Sequence, residues 1–189
     1  MPCGYYGSVR IEDGMAIKRV KREEWAAAEA AYGQQIMSLP NAAAYFVAPT
    51  DASGCEMWMP YGGMTLAKGL KDHHDRRQIA IHLLAGLSLL HAHNICHGDI
   101  KDTNIVIDVT GTARFIDFWR PNAGRMSKTN SAPEEYWLGP HKSPAVDCFR
   151  LGIILNRMLP NHSIIQQLLD TDPSTRITAQ ECHRLLQLV

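Results

Sequence analysis

The sequence predicts an α+β fold in which a small strand-rich part is followed by a larger, mainly helical part. Short apolar runs bounded by glycine turns occupy much of the first 60 residues. Residues 75–93 instead carry apolar side chains at spacings of four, four and three, which indicates a helix with one buried face. A chain of 189 residues is long enough for one domain with a real core, or for two small lobes that share a cleft.

The composition is that of a globular protein and argues against some classes of partner. Hydrophobic residues make up 46% of the chain and charged residues 20%. Nineteen basic and nineteen acidic residues cancel, which argues against a broad nucleic-acid-binding surface. Five scattered cysteines are expected to be reduced thiols of an intracellular protein. No apolar run is long enough for a membrane span. From the charge balance and this finding we expect neither a nucleic-acid nor a membrane partner. The oligomeric state stays open.

The chain begins with a glycine-punctuated turn and a hairpin. Gly4, Gly7 and Val9 belong to a turn that leads into a strand, and glycines let backbone amides approach phosphates closely. Asp13-Gly14 predicts a tight turn before a second strand at residues 15–20.

A helix, a link and a further strand complete the first part. Residues 22–39 are alanine-rich and favour a helix. Residues 40–53 are expected to be a link with some apolar content. Residues 55–59 predict a strand, and the loop that follows at residues 60–63 contains a proline and two glycines.

A polar turn between two apolar runs concentrates the functional groups. Residues 97–104 read His-Gly-Asp-Ile-Lys-Asp-Thr-Asn. Asp99 could accept a proton from a hydroxyl, and Lys101 could neutralise a phosphate. Asn104, together with Asp117 at the far end of the hairpin that follows, offers oxygen ligands for a divalent cation. Phosphoryl transfer requires this set of groups.

This turn resembles the catalytic loop His-Arg-Asp-Leu-Lys-x-x-Asn of eukaryotic-type protein kinases, and Asp117-Phe118 resembles their Asp-Phe-Gly. Other partial matches follow in the kinase order: residues 15–18 for Val-Ala-Ile-Lys, 132–134 for Ala-Pro-Glu, 147–152 for Asp-x-Trp-Ser-x-Gly and 172–178 for Asp-Pro-x-x-Arg-x-Thr. Order and spacing are independent constraints, so the chain is identified as a member of the protein kinase superfamily.

The resemblance implies a bilobal protein-kinase-like fold within a single kinase domain over residues 1–189. A small β-rich N-lobe would comprise residues 1–60, and a mainly helical C-lobe residues 61–189. The C-lobe is expected to be reduced, because residues 159–172 leave room for one helix rather than the usual set. Such economy resembles the kinases carried by large DNA viruses.

ATP is the implied cofactor, and the resemblance assigns its contacts. Lys18 would contact the α- and β-phosphates, and Ala16 would lie against adenine. Met59 would be near the gatekeeper position. The loop after residue 59 would be the hinge between the two lobes. Tyr61 in this hinge is expected to donate a backbone N–H to adenine, because Pro60 has no N–H. The glycine loop would contribute Gly4, Gly7 and Val9.

A helix glutamate is expected to pair with Lys18, and three candidates are available. We prefer Glu29, because it lies one or two turns into the helix beside small residues. Glu23 and Glu24 fit better as first-turn acids that complement the helix dipole.

The catalytic residues implied by the resemblance are Asp99, Lys101, Asn104 and Ser127, with Asn104 and Asp117 as ligands of Mg²⁺ or Mn²⁺. Ser127 stands five residues before the Ala-Pro-Glu match, where serine/threonine kinases usually carry a threonine. A zinc site at His91, His93 and His97 is disfavoured because their spacing does not match the usual helical one. His97 would instead be a packed histidine that supports Asp117.

Two departures from the kinase pattern bear on regulation and activity. Gly98 replaces the arginine that normally receives an activation-loop phosphate, and Trp119 replaces the glycine of Asp-Phe-Gly. Together with the shortness of the loop from residue 118 to 131, they predict activity without loop phosphorylation.

The predicted function is an ATP-dependent serine/threonine protein kinase acting on a protein substrate. A catalytically inactive kinase-fold binding module and a small-molecule kinase remain alternatives.

Overall fold

A computed structural model describes residues 7–71, 74–118, 131–139 and 142–188. Gly4, Trp119 and Ser127, which the sequence analysis singled out, lie outside the described residues. Among the described residues, no helix is both long enough and apolar enough to cross a membrane.

A four-stranded antiparallel sheet forms the first layer of the fold. Its strands, in the spatial order β1-β2-β4-β3, are β1 (Gly7–Glu12), β2 (Met15–Val20), β3 (Asp51–Ser53) and β4 (Glu56–Pro60). Asp13 and Gly14 connect β1 to β2 with φ angles of 49° and 78°. Positive φ at both positions is the type I′ turn that two-residue hairpins favour, so the predicted tight turn is confirmed.

Gly7 has a packing role in this sheet. A Cβ atom added there would lie 1.9 Å from the carbonyl oxygen of Arg19 on β2. Gly7 is also paired with Val20 at the end of the hairpin. A side chain at this position would push the two strands apart, which is a reason for glycine that the sequence analysis did not anticipate.

Helix α1 (Glu23–Met37) packs against the sheet and agrees with the prediction to within two residues at each end. Its buried residues include the small Ala26, Ala30 and Gly33. Small side chains let the helix approach β2, β3 and β4 closely, and this brings Glu29 towards the sheet.

A three-stranded antiparallel sheet, in the order β5-β6-β7, lies at the start of the second part. It comprises β5 (Met64–Thr65), β6 (Ile105–Ile107) and β7 (Ala113–Phe115), so the predicted hairpin that leads to Asp117 is confirmed. Two short helices, α2 (Ala42–Tyr45) and α3 (Leu66–Gly69), lie on the connecting segments. The expected link at residues 40–53 thus contains a helix and a strand, both too short to show periodicity in the sequence.

Most of the remaining described residues are helical: α4 (Arg76–Ala92), α5 (Glu135–Leu138), α6 (Pro144–Met158), α7 (Ser163–Gln166) and α8 (Ala179–Gln187). Capping defines three of the helix starts. Asp75 Oδ1 accepts the amides of Arg77 and Gln78, both at 3.0 Å, and Ser143 and Thr178 cap α6 and α8 in the same way. Short α7 and a 3-10 turn at Gln167–Leu169 are the helical structure in residues 159–172. The predicted α+β class is confirmed.

The main core surrounds α4, whose buried face includes Leu83, Leu84, Leu87 and Leu90. Phe46 and Phe115 are also buried there. The N–H of Val47 donates to the carbonyl of Phe115 at 3.0 Å, so the segment between α2 and β3 is bonded to β7. This contact links the two parts of the fold at the back of the cleft between them.

Candidate active site

A cavity of about 460 Å³ lies between the two sheets. Its apolar wall includes Val9, Ala16, Val47, Met59, Val106 and Ile116. Its polar end is formed by Lys18, Glu29, Asn104 and Asp117. The cavity therefore combines an apolar slot for a flat ring with a charged end, as a nucleotide site requires.

Lys18 on β2 pairs with Glu29 on α1. The ammonium nitrogen of Lys18 lies 2.7 Å and 2.9 Å from the two carboxylate oxygens of Glu29. Glu29 is 6% exposed, whereas Glu23 and Glu24 are exposed in the first turn of the helix. Of the three candidates, the structure places Glu29 against Lys18.

Asp117 is the second partner of Lys18. Its Oδ1 atom forms an ion pair with the lysine ammonium. Asp117 stands two residues after β7 and has a φ of 69°, a left-handed conformation that is uncommon for residues other than glycine. Such strain in a charged cluster is typical of functional sites.

Burial and charge act against each other in this cluster. Burial would lower the pKa of Lys18, but Asp117 and Glu29 outweigh it and the pKa is raised. Burial would raise the pKa of Asp117, but the Lys18 charge holds it below its ordinary value. For Glu29 burial dominates, because it shares Lys18 with Asp117, and its pKa is raised to about 7.

The catalytic-loop candidates converge on Asp99, which is 6% exposed. Lys101 Nζ donates to Asp99 Oδ2 at 2.8 Å, and Asn104 Nδ2 donates to the same oxygen at 2.9 Å. Asn104 also donates to the main-chain carbonyl of Asp99 at 3.0 Å. A 3-10 turn at Asp102–Asn104 bends the chain so that residues 99 and 104 meet. The carboxylate is thereby held in one orientation.

Asn104 and Asp117 fit a divalent cation. Both line the polar end of the cavity. Because the Asn104 amide nitrogen is used by Asp99, its oxygen is the atom it can offer to a metal. The described residues contain no group of three or more His, Cys, Asp or Glu side chains arranged to hold a metal. One carboxylate and one amide suit Mg²⁺, which keeps water and phosphate oxygens in its shell.

The hinge requires a correction. The N–H of Tyr61 donates to the carbonyl of Gly14 at 2.9 Å, which extends the pairing between β4 and β2. Bonded positions alternate along an antiparallel ladder, so the backbone nitrogen of Pro60 points away from β2. The missing N–H of this proline therefore costs the β2–β4 pair no hydrogen bond. The Tyr61 amide is therefore not the adenine donor expected from the sequence. Gly62, which also lines the cavity, carries the next backbone N–H.

A carboxylate on helix α6 holds the backbone of the catalytic loop. Asp147 is fully buried, and its carboxylate accepts the N–H of His97 at 2.8 Å and that of Gly98 at 2.9 Å. It also lies 3.3 Å from Nε2 of His91. The sequence analysis recognised Asp147 only as part of a helix motif and missed its role in holding the loop.

His97 is a packed histidine. It is fully buried, and its ring lies 4.9 Å from that of Phe118 and 5.4 Å from that of Phe115, measured between centroids. Its Nδ1 atom faces the N–H of Asp99 at 3.3 Å. Of the three histidines considered for zinc, His93 bonds the carbonyl of Leu89, whereas the His91 ring and the His97 amide both contact Asp147.

A buried ion pair connects two segments of the second part of the fold that are far apart in the sequence. Arg176 donates to both carboxylate oxygens of Glu134, at 2.6 Å and 2.9 Å. The ion pair lies between two segments that match the kinase pattern, residues 132–134 and 172–178. It joins the Ala-Pro-Glu match to the segment before α8, and the guanidinium also reaches the carbonyl of Ala145 at 2.7 Å.

Comparison with known proteins gives a consistent family assignment. A family model described as "Protein kinase domain" matches residues 12–166. The chain is 30% identical over 151 residues to mitogen-activated protein kinase sma-5 of Caenorhabditis elegans, covering 64% of this chain and 30% of that protein. It is 28% identical over 136 residues to mitogen-activated protein kinase kinase kinase 3 of Arabidopsis thaliana, covering 63% and 22%.

A third relative is serine/threonine-protein kinase STE20 of Saccharomyces cerevisiae, 31% identical over 85 residues, which are 40% of this chain and 9% of that protein. The chain thus spans less than a third of the length of each of these relatives. The family match also begins after Gly7 and Val9 and ends before Arg176.

Proposed function

Because this chain belongs to the protein kinase family, we propose that it is an ATP- and magnesium-dependent serine/threonine protein kinase. The observation that carries the proposal is that Asn104 lines the same end of the cavity as Lys18, Glu29 and Asp117 and is also hydrogen-bonded to Asp99. Lys18, Glu29 and Asp117 form one cluster, and Asn104 joins it to the second, which is centred on Asp99.

The two clusters divide the work of phosphoryl transfer between binding and positioning. Lys18, oriented by Glu29, would hold the α- and β-phosphates of ATP. Adenine would occupy the apolar slot beside Ala16 and Met59, with Gly62 as the candidate backbone donor. Mg²⁺, held by Asn104 and Asp117, would neutralise charge on the transferred phosphoryl group.

Asp99 would orient the substrate hydroxyl and accept its proton. Its carboxylate is held by Lys101 and Asn104, so the proton acceptor is fixed before substrate arrives. Lys101 lies beside this acceptor, where its ammonium could also contact the transferred phosphate. The preference for serine and threonine rests on Lys101 at the second position after Asp99 and, by the resemblance, on Ser127.

The test is phosphoryl transfer by the purified chain with radiolabelled ATP and Mg²⁺, measured as autophosphorylation and with casein as a general substrate. Asp99→Asn preserves shape and removes the proton acceptor. We expect it to lower transfer by at least ~100-fold, in the range of general-base catalysis, while ADP binding persists. Phosphoamino-acid analysis should yield phosphoserine and phosphothreonine.

Two results would contradict the proposal. Nucleotide binding without transfer above the Asp99→Asn background would indicate an inactive binding module. Products dominated by phosphotyrosine would overturn the predicted residue preference and leave the kinase assignment intact.

A further inference from the structure

Arg150 on α6 is a buried charged side chain that the proposed mechanism does not use. It is 3% exposed. One guanidinium nitrogen donates to the carbonyl oxygen of Gly98 at 2.7 Å, and the other terminal nitrogen donates to Glu135 at 2.6 Å. A buried arginine contact to a main-chain carbonyl next to the candidate proton acceptor requires an explanation, because burying charge is costly.

The Gly98 carbonyl belongs to the peptide bond that joins Gly98 to Asp99. The amide on the other side of Gly98 is held by Asp147 at 2.9 Å. Asp147 and Arg150 are three residues apart on α6 and so project from one face of it. Their side chains therefore bond both backbone groups of Gly98, its N–H and its carbonyl. Gly98 has a φ of 76°, and a glycine there is free to leave this conformation unless it is held.

Glu135 extends the contact to a second segment. It is the first residue of α5, its side chain is 4% exposed, and its other carboxylate oxygen accepts the N–H of Ala132 at 2.8 Å. Ala132 is part of the Ala-Pro-Glu match that closes the activation segment. One ion pair thus connects the end of that segment to the backbone of the catalytic loop.

This ion pair stands where the sequence departs from the kinase pattern at two positions. The pattern Asp-x-Trp-Ser-x-Gly places serine where this chain has Arg150, and the catalytic-loop pattern places arginine where it has Gly98. The arginine missing from position 98 is therefore matched by an extra arginine whose guanidinium bonds residue 98.

We propose that Arg150, paired with Glu135, is a positioning residue that fixes Asp99 through the Gly98 carbonyl and ties the catalytic loop to the backbone at Ala132. Its role in turnover rests on the proposed kinase function. Because the pair is buried and needs no modification, the link is present as soon as the chain has folded.

The experiment neutralises the pair without leaving an unpaired buried charge. The test variant is Arg150→Met with Glu135→Gln. The matched control is Arg176→Met with Glu134→Gln, which neutralises the other buried arginine–glutamate pair without touching the catalytic loop. For each protein we would measure kcat, KM for ATP, and amide hydrogen exchange.

We expect the test variant to lose at least tenfold in kcat with KM for ATP within twofold of wild type, because the Lys18 cluster is untouched. Exchange of the amides at residues 97–101, divided by that of the core amides of α4, should rise at least tenfold. In the control variant we expect both the exchange ratio and kcat to stay within twofold of the wild-type values. Normalising to α4 separates local loosening from a general loss of stability.

Equal effects in the two double variants, or an unchanged exchange ratio in the test variant, would overturn the proposal. If wild type proves inactive, the proposed kinase activity fails and the exchange ratio still decides whether Arg150 holds the loop. If the test variant does not fold, Arg150→Lys keeps the charge beside Glu135 but cannot span both acceptors. It should show at least a threefold change in both kcat and the exchange ratio, and no change would reject the proposal.

Discussion

The raised pKa of Glu29 predicts that ATP use depends on pH near neutrality. Lys18 is paired with both Glu29 and Asp117, and the Glu29 pKa is raised to about 7. Below that pH Glu29 is protonated and Lys18 is left with Asp117, the residue proposed to bind the metal. Above it, Glu29 is charged and competes for Lys18, which frees Asp117. Activity should therefore rise with pH.

The magnitude follows from the ionised fraction of Glu29. With a pKa of about 7, roughly one molecule in eleven carries the charge at pH 6 and roughly ten in eleven at pH 8. The ratio kcat/KM for ATP reports ionisations of the free enzyme, so it should rise about tenfold between these pH values and then level off. Glu29→Gln keeps a hydrogen-bonding side chain but cannot ionise. It should give a flat profile at or below the wild-type value at pH 6.

The assay is steady-state kinetics from pH 6 to 8 at constant ionic strength with Mg²⁺ in excess. Glu24→Gln is the matched control, because Glu24 lies on the same helix with an exposed side chain that pairs only loosely, at 3.4 Å, with Arg22. It should reproduce the wild-type profile, including any contribution from the nucleotide itself. An equal rise in the Glu29→Gln protein would assign the dependence to another group and refute the reasoning.

Two further predictions address the phosphate and metal contacts. Lys18→Met should reduce phosphoryl transfer to the level of Asp99→Asn while circular dichroism shows a folded protein, and undiminished turnover would contradict the kinase assignment. Activity should vanish with EDTA and return with Mg²⁺ or Mn²⁺, because the proposed ligands Asn104 and Asp117 would offer oxygen atoms to the metal. Recovery with Zn²⁺ alone would exclude this site chemistry.

The elements that the sequence predicted well are those with many repeats of a pattern or a specific turn. Helix α4 shows its apolar spacing over about three turns, and the β1–β2 hairpin contains Asp13-Gly14, whose positive φ angles few other residues adopt. Helix α2 has four residues and strand β5 has two, so neither is long enough to repeat its own pattern. These short elements form because Phe46 and β6 lie beside them, and such tertiary contacts cannot be seen in a local window.

Side-chain chemistry at the site was easier to predict than backbone chemistry. Glu29 followed from its position in a helix of small residues, and the Lys18 contact agrees with it. The Tyr61 donor was wrong because β4 continues its pairing one residue beyond the proline, and this uses the Tyr61 amide. Whether a main-chain N–H is available depends on where a strand stops pairing, and one residue decides it.

The same limit explains why the support of the catalytic loop was missed. Asp147 and Arg150 can be placed on one face of α6 from their spacing alone, and their polarity marks them as unusual on a buried helix. Their partners at Gly98, however, are an amide and a carbonyl, and nearly every residue has these groups. In the sequence, Gly98 is visible only as the loss of the arginine that the kinase pattern has at this position. In the fold it is the position at which α6 orients Asp99.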